Sequence, residues 1–443
     1  MGISYTGMAK DTKQFNPGWF IVLFLSLFPV VLWLLYTPTI PRFSNATVSL
    51  SNIGQIFGLV GATMFAINLM LSTRLKFIEK LFFGLNRVYE RHSHLGQIAF
   101  MLLIFHPLFL LSKYAGNSFH QAALFLLPSS DWPINWGWLA LVGMILLIVA
   151  TLYIPLKYNF WKVTHKFFGL FFFFASLHIW LIPSDVSHYL PLRIYMLGIS
   201  LLGLCAYFYY SLLGKLFVKK FHYLVKSVRP LGDDIIDIIM EPQGEILHFN
   251  PGQFIFVSFD DKNIGKESHP FSISSGSNEK NISITIKKSG DYTNKLNNIP
   301  IGTNVNIEGP YGVFSHANIK NKRQIWIAGG IGITPFISMV KTLQLNDGHD
   351  IDLYYCLKNK NEAVYLEYLK TIALSLNDRL KIFPHYSSQE GRISAQVIEH
   401  QSGGLVGKDI FICAPPPMIS SLKSQLLEKG INKKLIHSEE FSF

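Results

Sequence analysis

Six apolar runs fill the first half of the chain, and they constrain its fold more than any other feature. They cover approximately residues 18–36, 53–71, 95–111, 136–156, 161–182 and 190–213. Each run approaches the roughly 20 residues that a helix needs to cross a hydrocarbon core about 30 Å thick. Lipid offers the backbone no hydrogen-bond partners, so these runs predict a bundle of six transmembrane helices.

Lysine and arginine residues in the short connections set the expected orientation of this bundle. They collect after the second, fourth and sixth runs, as Arg74, Lys76, Lys80, Arg87, Arg91, Lys157, Lys162, Lys215, Lys219 and Lys220. Because such residues favour cytoplasmic loops, we expect a multi-pass protein of the cell (plasma) membrane with both termini in the cytoplasm. The formal net charge of +11 is explained mainly by these loops facing anionic lipid, and nothing indicates a nucleic-acid partner.

Two of the apolar runs carry a histidine near each end. His92 and His106 belong to the third run (106 − 92 = 14), and His165 and His178 belong to the fifth (178 − 165 = 13). An ionisable side chain inside a membrane span is costly and indicates function. Since histidine is a common haem ligand, two such helices predict two stacked b-type haems, each held by one histidine from each helix. The topology predicts an inner pair, His92 with His165, and an outer pair, His106 with His178.

The helical phase of the two runs differs. Fourteen residues at about 100° each return to within about 40° of the starting face, whereas thirteen miss that face by about 140°. The fifth helix is therefore predicted to contain a bulge or a kink, or to approach its haem differently. His94 is an alternative to His92 as the inner ligand of the third run.

The second half of the chain contains two regions with different predicted secondary structure. Residues 215–319 contain short strands separated by turn sequences such as Gly309-Pro310-Tyr311-Gly312, which predicts a small closed β-barrel. Residues 320–443 alternate strands and helices, which predicts a doubly wound parallel α/β domain. With a cytoplasmic segment at 1–16 and the transmembrane domain at 17–214, the chain is expected to be a multidomain membrane protein.

A glycine-rich turn opens the α/β domain. Gly329-Gly330-Ile331-Gly332-Ile333-Thr334-Pro335 lies between a predicted strand and a predicted helix. Glycines let the backbone approach a pyrophosphate, and the start of a helix offers free N–H groups. With Thr334 predicted to cap this helix and Pro335 to lie in its first turn, the motif indicates a dinucleotide site.

Six short motifs occur in a fixed order along the soluble half. They are HPFSISS at 269–275, IKKSGDYT at 286–293, GPYG at 309–312, GGIGITPF at 329–336, ICAPPPM at 412–418 and the terminal EEFSF. Together they resemble the ferredoxin–NADP reductase module of NADPH oxidases and ferric reductases. The six runs with two histidine pairs resemble the ferric-reductase-type transmembrane domain of the same superfamily. The compact plan is closest to prokaryotic NADPH oxidase homologues.

The resemblance implies cofactors and roles for the matching positions. FAD would contact His269, Pro270, Phe271, Ser272, Ser275, Gly290 and Thr293, the last two at its pyrophosphate. The nicotinamide dinucleotide phosphates would contact Gly329, Gly330, Gly332, Thr334 and Pro335. Three residues would serve catalysis: Ser272 near the reactive flavin edge, Cys413 near the nicotinamide, and Phe443 stacked on the flavin. The chain departs from the family in having Ala414 where glycine is frequent, and His269 where soluble reductases carry arginine.

Two cations bear on the choice of nucleotide. Lys358 follows the second strand of the α/β domain, and Arg392 is predicted to begin a helix after Gly391. Both are donors suited to a 2′-phosphate, so NADPH is expected to be preferred, with NADH as the alternative.

The resemblance implies a transmembrane NAD(P)H oxidase that moves electrons from cytosolic NAD(P)H through FAD and two haems to molecular oxygen outside, giving superoxide. A ferric or cupric chelate reductase shares every motif and is the alternative acceptor class. The predicted outer loops offer His120 and His188 but no acidic cluster to gather metal ions, which favours oxygen. A six-span channel with a nucleotide-sensing domain would need polar pore rings, and the spans offer mainly Asn68, Gln97 and the histidines. No feature indicates an obligate protein partner.

Overall fold

The computed structural model describes residues 17–36, 42–115, 118–154, 158–214 and 218–440. The chain divides into two compact units, Met1–Val218 and Lys219–Phe443. The first unit is helical in its described part, and the second contains two β-sheets.

The helices of the first unit are α1 Pro17–Leu35, α2 Ala46–Leu71, α3 Lys76–Phe82, α4 Leu85–Leu110, α5 Ser112–Ala115, α6 Phe119–Phe125, α7 Trp132–Tyr153, α8 Tyr158–Lys166, α9 Phe168–Leu181, α10 Asp185–His188 and α11 Leu190–Tyr207. A π-helical turn, Phe208–Leu212, continues α11. Within the described residues, six helical segments are long and apolar enough to cross a membrane. The predicted six-helix transmembrane domain is therefore present.

α2 and α4 begin seven and ten residues earlier than the hydrophobic pattern predicts. α2 begins at Ala46 because the Asn45 side chain accepts a 2.9 Å hydrogen bond from the Val48 amide, which caps the helix. α4 begins at Leu85, so His92 lies two turns inside the helix. The predicted starts, at 53 and 95, marked only where the polar ends give way to apolar sequence.

The fifth span is interrupted beside its first histidine. α8 ends at Lys166 and α9 begins at Phe168. Between them the Phe167 amide donates to the Thr164 carbonyl, three residues back, at 3.0 Å. A three-residue repeat winds the chain more tightly than an α-helix and changes the phase between His165 and His178. The irregularity predicted from the 13-residue spacing is present here.

The two histidine-bearing spans pack against different helices. α4 packs mainly along α2, whereas α9 packs mainly along α7. α1 buries one stripe against the bundle, formed by Gly18, Val22, Ser26, Pro29 and Trp33 at helical spacing.

The first sheet of the second unit is a nearly closed antiparallel barrel. Its strands are β1 Phe221–Pro230, β2 Ile235–Pro242, β3 Phe254–Phe259, β4 His269–Ser272, β5 Ile282–Lys287 and β6 Asn304–Tyr311. They follow the order β4-β3-β6-β1-β2-β5, and a bridge between Ile273 and Ile284 links the end of β4 to β5. Isoleucine, valine and phenylalanine side chains fill the interior, as alternation along each strand predicts.

The second sheet is fully parallel, in the order β11-β10-β7-β8-β9. Its strands are β7 Arg323–Gly329, β8 Asp350–Leu357, β9 Leu380–Tyr386, β10 Asp409–Ala414 and β11 Ile436–Glu440. The helices of this unit are Asp291–Lys295, Thr334–Val340, Leu366–Ser375, Ser387–Glu390, Ala395–Gln401 and Pro416–Glu428. Separate apolar clusters cover the two faces of the sheet, which is the doubly wound arrangement predicted for this half.

Two predicted helix starts in this domain are wrong. Thr334 is the first helical residue and not the cap; its hydroxyl donates to the Ile331 carbonyl at 3.1 Å. Arg392 does not begin a helix, because the next helix starts at Ala395 behind Ser394, whose hydroxyl accepts from the Val397 amide. The N-cap position predicted for Thr334 belongs to Ile333, and the helix predicted to begin at Arg392 has Ser394 as its N-cap.

Candidate functional site

The four histidines of the first unit meet in two pairs. The ring centroids of His92 and His165 lie 6.1 Å apart, and those of His106 and His178 lie 6.5 Å apart. These are the pairs predicted from topology. The His94 side chain, by contrast, is exposed on α4. The structure therefore brings His92, the favoured alternative, against His165.

Backbone carbonyls orient three of these four rings. His92 Nδ1 lies 3.0 Å from the Asn68 carbonyl, His106 Nδ1 2.7 Å from that of Gly54, and His178 Nδ1 2.7 Å from that of Pro133. A carbonyl only accepts, so each Nδ1 must carry the proton and each Nε2 keeps its lone pair. This is the tautomer of a metal-ligating histidine whose other nitrogen is held by a hydrogen bond.

The ring separations fit an iron between the members of each pair. Bonds from imidazole nitrogen to a metal are about 2.0–2.1 Å long, and a ring centroid lies about 1.2 Å from its nitrogen, so two rings on opposite sides of one metal lie about 6.5 Å apart. Both observed separations, 6.1 and 6.5 Å, agree with this value. The four histidines therefore fit two bis-histidine haems.

Two glycines leave room for the rings of the outer pair. A Cβ atom on Gly58 of α2 would lie 2.7 Å from His106 Nδ1, and one on Gly137 of α7 would lie 2.9 Å from His178 Nδ1. Any side chain at either position would therefore push a histidine ring. Sequence reasoning missed both residues, because each lies more than 40 positions from the histidine that it backs.

Residues 269–275, here called the flavin motif because the resemblance assigns them to FAD, form β4 and the turn after it. Ser272 is buried, and within the described chain its hydroxyl has no hydrogen-bond partner. A buried hydroxyl without a partner is unusual and fits a site completed by a ligand. The His269 ring lies against the Tyr292 ring, with the centroids 3.8 Å apart and the planes tilted by 31°. Pro270 and Phe271 pair with β3 on the same edge of the barrel.

The predicted pyrophosphate contacts of FAD lie in one tight turn. The Thr293 hydroxyl accepts 3.0 Å hydrogen bonds from the amides of Ser289 and Gly290, which fixes the backbone at the start of the helix Asp291–Lys295. The contact of Gly290 and Thr293 with FAD stays a prediction.

The glycine turn after β7 packs closely against β10. A Cβ atom on Gly332 would lie 2.1 Å from the Cys413 carbonyl oxygen, and one on Gly329 would lie 2.7 Å from the Ala414 Cβ. Gly330 has φ +56, a conformation that favours glycine, and its Cβ position is open. Two glycines therefore allow strand packing, while the third leaves an open backbone surface at the carboxyl end of the sheet.

Cys413 is fully buried in the core of the parallel sheet. Burial raises the pKa of its thiol well above the ordinary value, and the nearby carboxyl of Glu439, its partner in the β10–β11 pairing, raises it further. The thiol therefore stays protonated at neutral pH. Glu439 is a buried acid that sequence reasoning did not single out. Phe443 lies outside the described residues, so its position on the flavin stays a prediction.

Lys358 and Arg392 are exposed at the carboxyl end of the parallel sheet. The Ser388 amide donates to the Lys358 carbonyl at 3.1 Å, which joins the loops after β8 and β9. His385 Nε2 lies 2.9 Å from the Gly391 carbonyl, in the same connection as Arg392. These contacts hold the loops that carry both cations on one edge, where nucleotides bind in such sheets.

Three family models match successive parts of the chain. Residues 57–176 match a ferric reductase like transmembrane component, residues 220–315 an FAD-binding domain, and residues 326–424 an oxidoreductase NAD-binding domain. The fold and these matches define a membrane protein that carries FAD- and NAD-binding domains of the oxidoreductase type. Its architecture is that of the ferric reductases and NADPH oxidases, as the sequence resemblance predicted.

Curated relatives match part of the chain. A flavohemoprotein of Candida norvegensis is 26% identical over 189 residues, covering 41% of this chain and 47% of its own length. Flavohemoprotein B of Dictyostelium discoideum is 30% identical over 224 residues, covering 44% and 53%. The chain thus spans about half the length of these curated relatives. The crystal structure of flavohemoglobin from Malassezia yamatoensis with bound FAD and heme has 17% identity and a TM-score of 0.49, covering 89% of this chain and 97% of that one.

Proposed function

We propose that this protein is a transmembrane NAD(P)H oxidase, which takes electrons from cytosolic NAD(P)H and delivers them to molecular oxygen outside the plasma membrane, giving superoxide. The observation that carries the proposal is the presence of two facing histidine pairs on α4, α8 and α9. The ring centroids lie 6.1 Å apart in one pair and 6.5 Å apart in the other. Bound FAD would supply hydride acceptance, and two b-type haems would supply one-electron transfer. Both termini are then cytoplasmic.

The residues of the first unit hold and orient the two haems. His92 and His165 would ligate one iron, and His106 and His178 the other. The carbonyls of Asn68, Gly54 and Pro133 fix the tautomer and tilt of three ligand rings. Because each iron would be held by two histidines, these residues would support electron transfer and not the binding of a further ligand to iron.

The residues of the second unit bind and align the nucleotides. The buried Ser272 hydroxyl is free to hydrogen-bond the flavin, with His269, Pro270, Phe271 and Ser275 lining it. Gly330 leaves an open approach for the nicotinamide dinucleotide phosphates. Lys358 and Arg392 would select the 2′-phosphate of NADPH. Cys413 would support the nicotinamide site as a neutral thiol, and Phe443 would cover the flavin face that nicotinamide must occupy.

A second acceptor class has support of its own. The matched transmembrane family model is described as ferric reductase like. A ferric or cupric chelate reductase would use the same histidine pairs and the same nucleotide domains, and would differ only in what meets the electrons outside.

Sealed proteoliposomes containing the full chain test the proposal. NADPH is added on the side of the second unit, and either a superoxide-specific dye or a ferric chelate that cannot cross lipid is enclosed on the other. We expect dye reduction that superoxide dismutase enclosed with the dye abolishes. The reduction should be lost in His106→Ala and kept in His94→Ala, because His94 is exposed on the same helix. Ferric reduction without superoxide would assign the chelate reductase. NADPH oxidation that never reaches the enclosed acceptor would contradict both.

A further inference from the structure

A buried hydrogen bond joins the barrel and the parallel sheet of the second unit, between the flavin motif and the helix after the glycine turn. The Ser338 hydroxyl donates to the Ser275 carbonyl at 2.7 Å, and both residues are fully buried. Ser338 lies on the helix that follows the glycine turn, and Ser275 ends the flavin motif. One bond therefore connects the backbone of the flavin motif to the helix of the dinucleotide motif.

A second polar contact joins the same two parts from another side. The Tyr365 hydroxyl, just before the helix Leu366–Ser375, lies 2.6 Å from Thr285 Oγ1 on β5. Thr285 Oγ1 also lies 2.9 Å from Asp237 Oδ1 on β2 and 3.0 Å from Ser274 Oγ. Ser274 directly precedes Ser275, so this network ends one residue from the first bond.

The number of hydroxyl protons determines which group donates in each of these hydrogen bonds. A threonine hydroxyl has one proton, and an ionised carboxylate can only accept. Thr285 therefore donates to Asp237, which requires the hydroxyls of Tyr365 and Ser274 to donate to Thr285 Oγ1. The hydrogen bond to the charged carboxylate is the stronger kind, and it fixes Thr285 as an acceptor aimed at the parallel-sheet domain. The barrel thus presents two fixed acceptors, the Ser275 carbonyl and Thr285 Oγ1, to two hydroxyl donors of the other domain.

We infer that Ser338 and Tyr365 are positioning residues, which hold the dinucleotide motif at the distance from the flavin motif that hydride transfer requires. The inference rests on the proposed transfer of hydride from NAD(P)H to FAD. Hydride transfer needs the reacting atoms about 3–3.5 Å apart, and a displacement of about 1 Å can lower the rate about 100-fold. Neither hydroxyl contacts the residues assigned to the nucleotides by resemblance, apart from the Ser275 backbone.

The test measures FAD reduction in the full-length protein in detergent, without oxygen, by stopped flow over a range of NADPH concentrations. The variants are Ser338→Ala, Tyr365→Phe and the double variant. Tyr354→Phe is the matched control, because that buried hydroxyl bonds Ser402 and the Ile398 carbonyl within the parallel-sheet domain. Thr285→Val removes the acceptor, whereas the conservative Thr285→Ser keeps it.

We expect the limiting rate of FAD reduction to fall about tenfold or more in the double variant, while the NADPH dissociation constant, FAD content and melting temperature stay close to those of Tyr354→Phe. Thr285→Val should resemble Tyr365→Phe, and Thr285→Ser should restore the rate. An unchanged limiting rate in the double variant overturns the inference alone. So does a rate loss that only follows FAD loss, or one equal to that of Tyr354→Phe. A wild-type flavin that neither NADPH nor NADH reduces overturns the proposed function as well.

Discussion

At the scale of single residues, the outer histidine pair depends on the absence of two side chains. Gly58 and Gly137 leave the space that the rings of His106 and His178 occupy. Gly58→Ala should displace the His106 ring and weaken its 2.7 Å hydrogen bond to the Gly54 carbonyl. We expect loss of the outer haem or a changed outer-haem spectrum, with the inner haem retained, as measured by haem content and reduced-minus-oxidised absorbance.

Gly198→Ala is the control for this substitution. It lies in α11, and a Cβ atom there meets nothing within 4 Å. Both variants replace a helical glycine by alanine, so helix propensity changes alike. Equal haem spectra in the two variants would show that ring contact at Gly58 is unimportant.

A buried histidine in the second unit makes stability depend on pH. Burial lowers the pKa of His316 to about 4. The charges of neighbouring His349 and Lys322 also lower this pKa, whereas the charge of Asp347 raises it. The folded state therefore binds this proton less well than the unfolded state. Stability is complete above the unfolded pKa of 6.5 and is lost as pH falls towards 4, by at most about 3 kcal/mol.

His316→Phe keeps a ring beside Trp326, 5.7 Å away between centroids, and removes the titration. The melting temperature of the full chain, measured from above pH 7 down to pH 4, should therefore fall less steeply with pH for the variant below pH 6.5, and the two curves should run parallel above pH 7. Parallel curves throughout this range would refute a contribution from His316.

The spacing of residues along the chain predicted part of the site. Residues that act through contacts distant in sequence could not be predicted. His92, His106, His165 and His178 could be paired because helical rise and loop charge place them at matching depths. Gly58, Gly137, Ser338 and Tyr365 could not be predicted, because each matters through a contact with a residue distant in sequence. No local pattern distinguishes such a glycine or hydroxyl from an ordinary one.

At the scale of elements, hydrophobic periodicity predicted which segments are helices and strands, but not the residues at which they begin and end. The irregularity in the fifth span followed from the 13-residue spacing, and it lies at Phe167. The start of α2 depends on the Asn45 cap, which precedes the apolar run. Thr334 lies inside its helix because a 3-10 turn, Gly330–Ile333, comes directly before it.

The close packing of the glycine turn on β10 gives a prediction for these two elements. Gly332→Ala would place a Cβ 2.1 Å from the Cys413 carbonyl, a backbone atom that cannot rotate away. The turn must separate from β10, so NADPH binding should weaken at least about tenfold while FAD content stays full. Nucleotide titration of the flavin absorbance measures this. Gly244→Ala, whose Cβ meets nothing within 4 Å, should bind normally, and an equal affinity in both variants would count against the packing argument.

At the scale of the whole molecule, the proposed electron path begins with the choice of nucleotide. Lys358 and Arg392 project from loops joined by the Ser388–Lys358 hydrogen bond. Replacing both by alanine should lower kcat/KM for NADPH about tenfold or more and leave that for NADH nearly unchanged, since only NADPH carries the 2′-phosphate. Steady-state kinetics with both nucleotides decides this. A parallel loss for both would mean that the cations serve the whole binding site.

The measurement that tests the central claim most directly is the haem-to-FAD ratio of the purified full-length protein, taken with its reduced-minus-oxidised spectrum. We expect two low-spin, bis-histidine haems per FAD. The ratio should fall to one in His106→Ala and in His92→Ala, and stay at two in His94→Ala. A protein without haem, or one that keeps both haems with unchanged spectra in His92→Ala, would contradict the account.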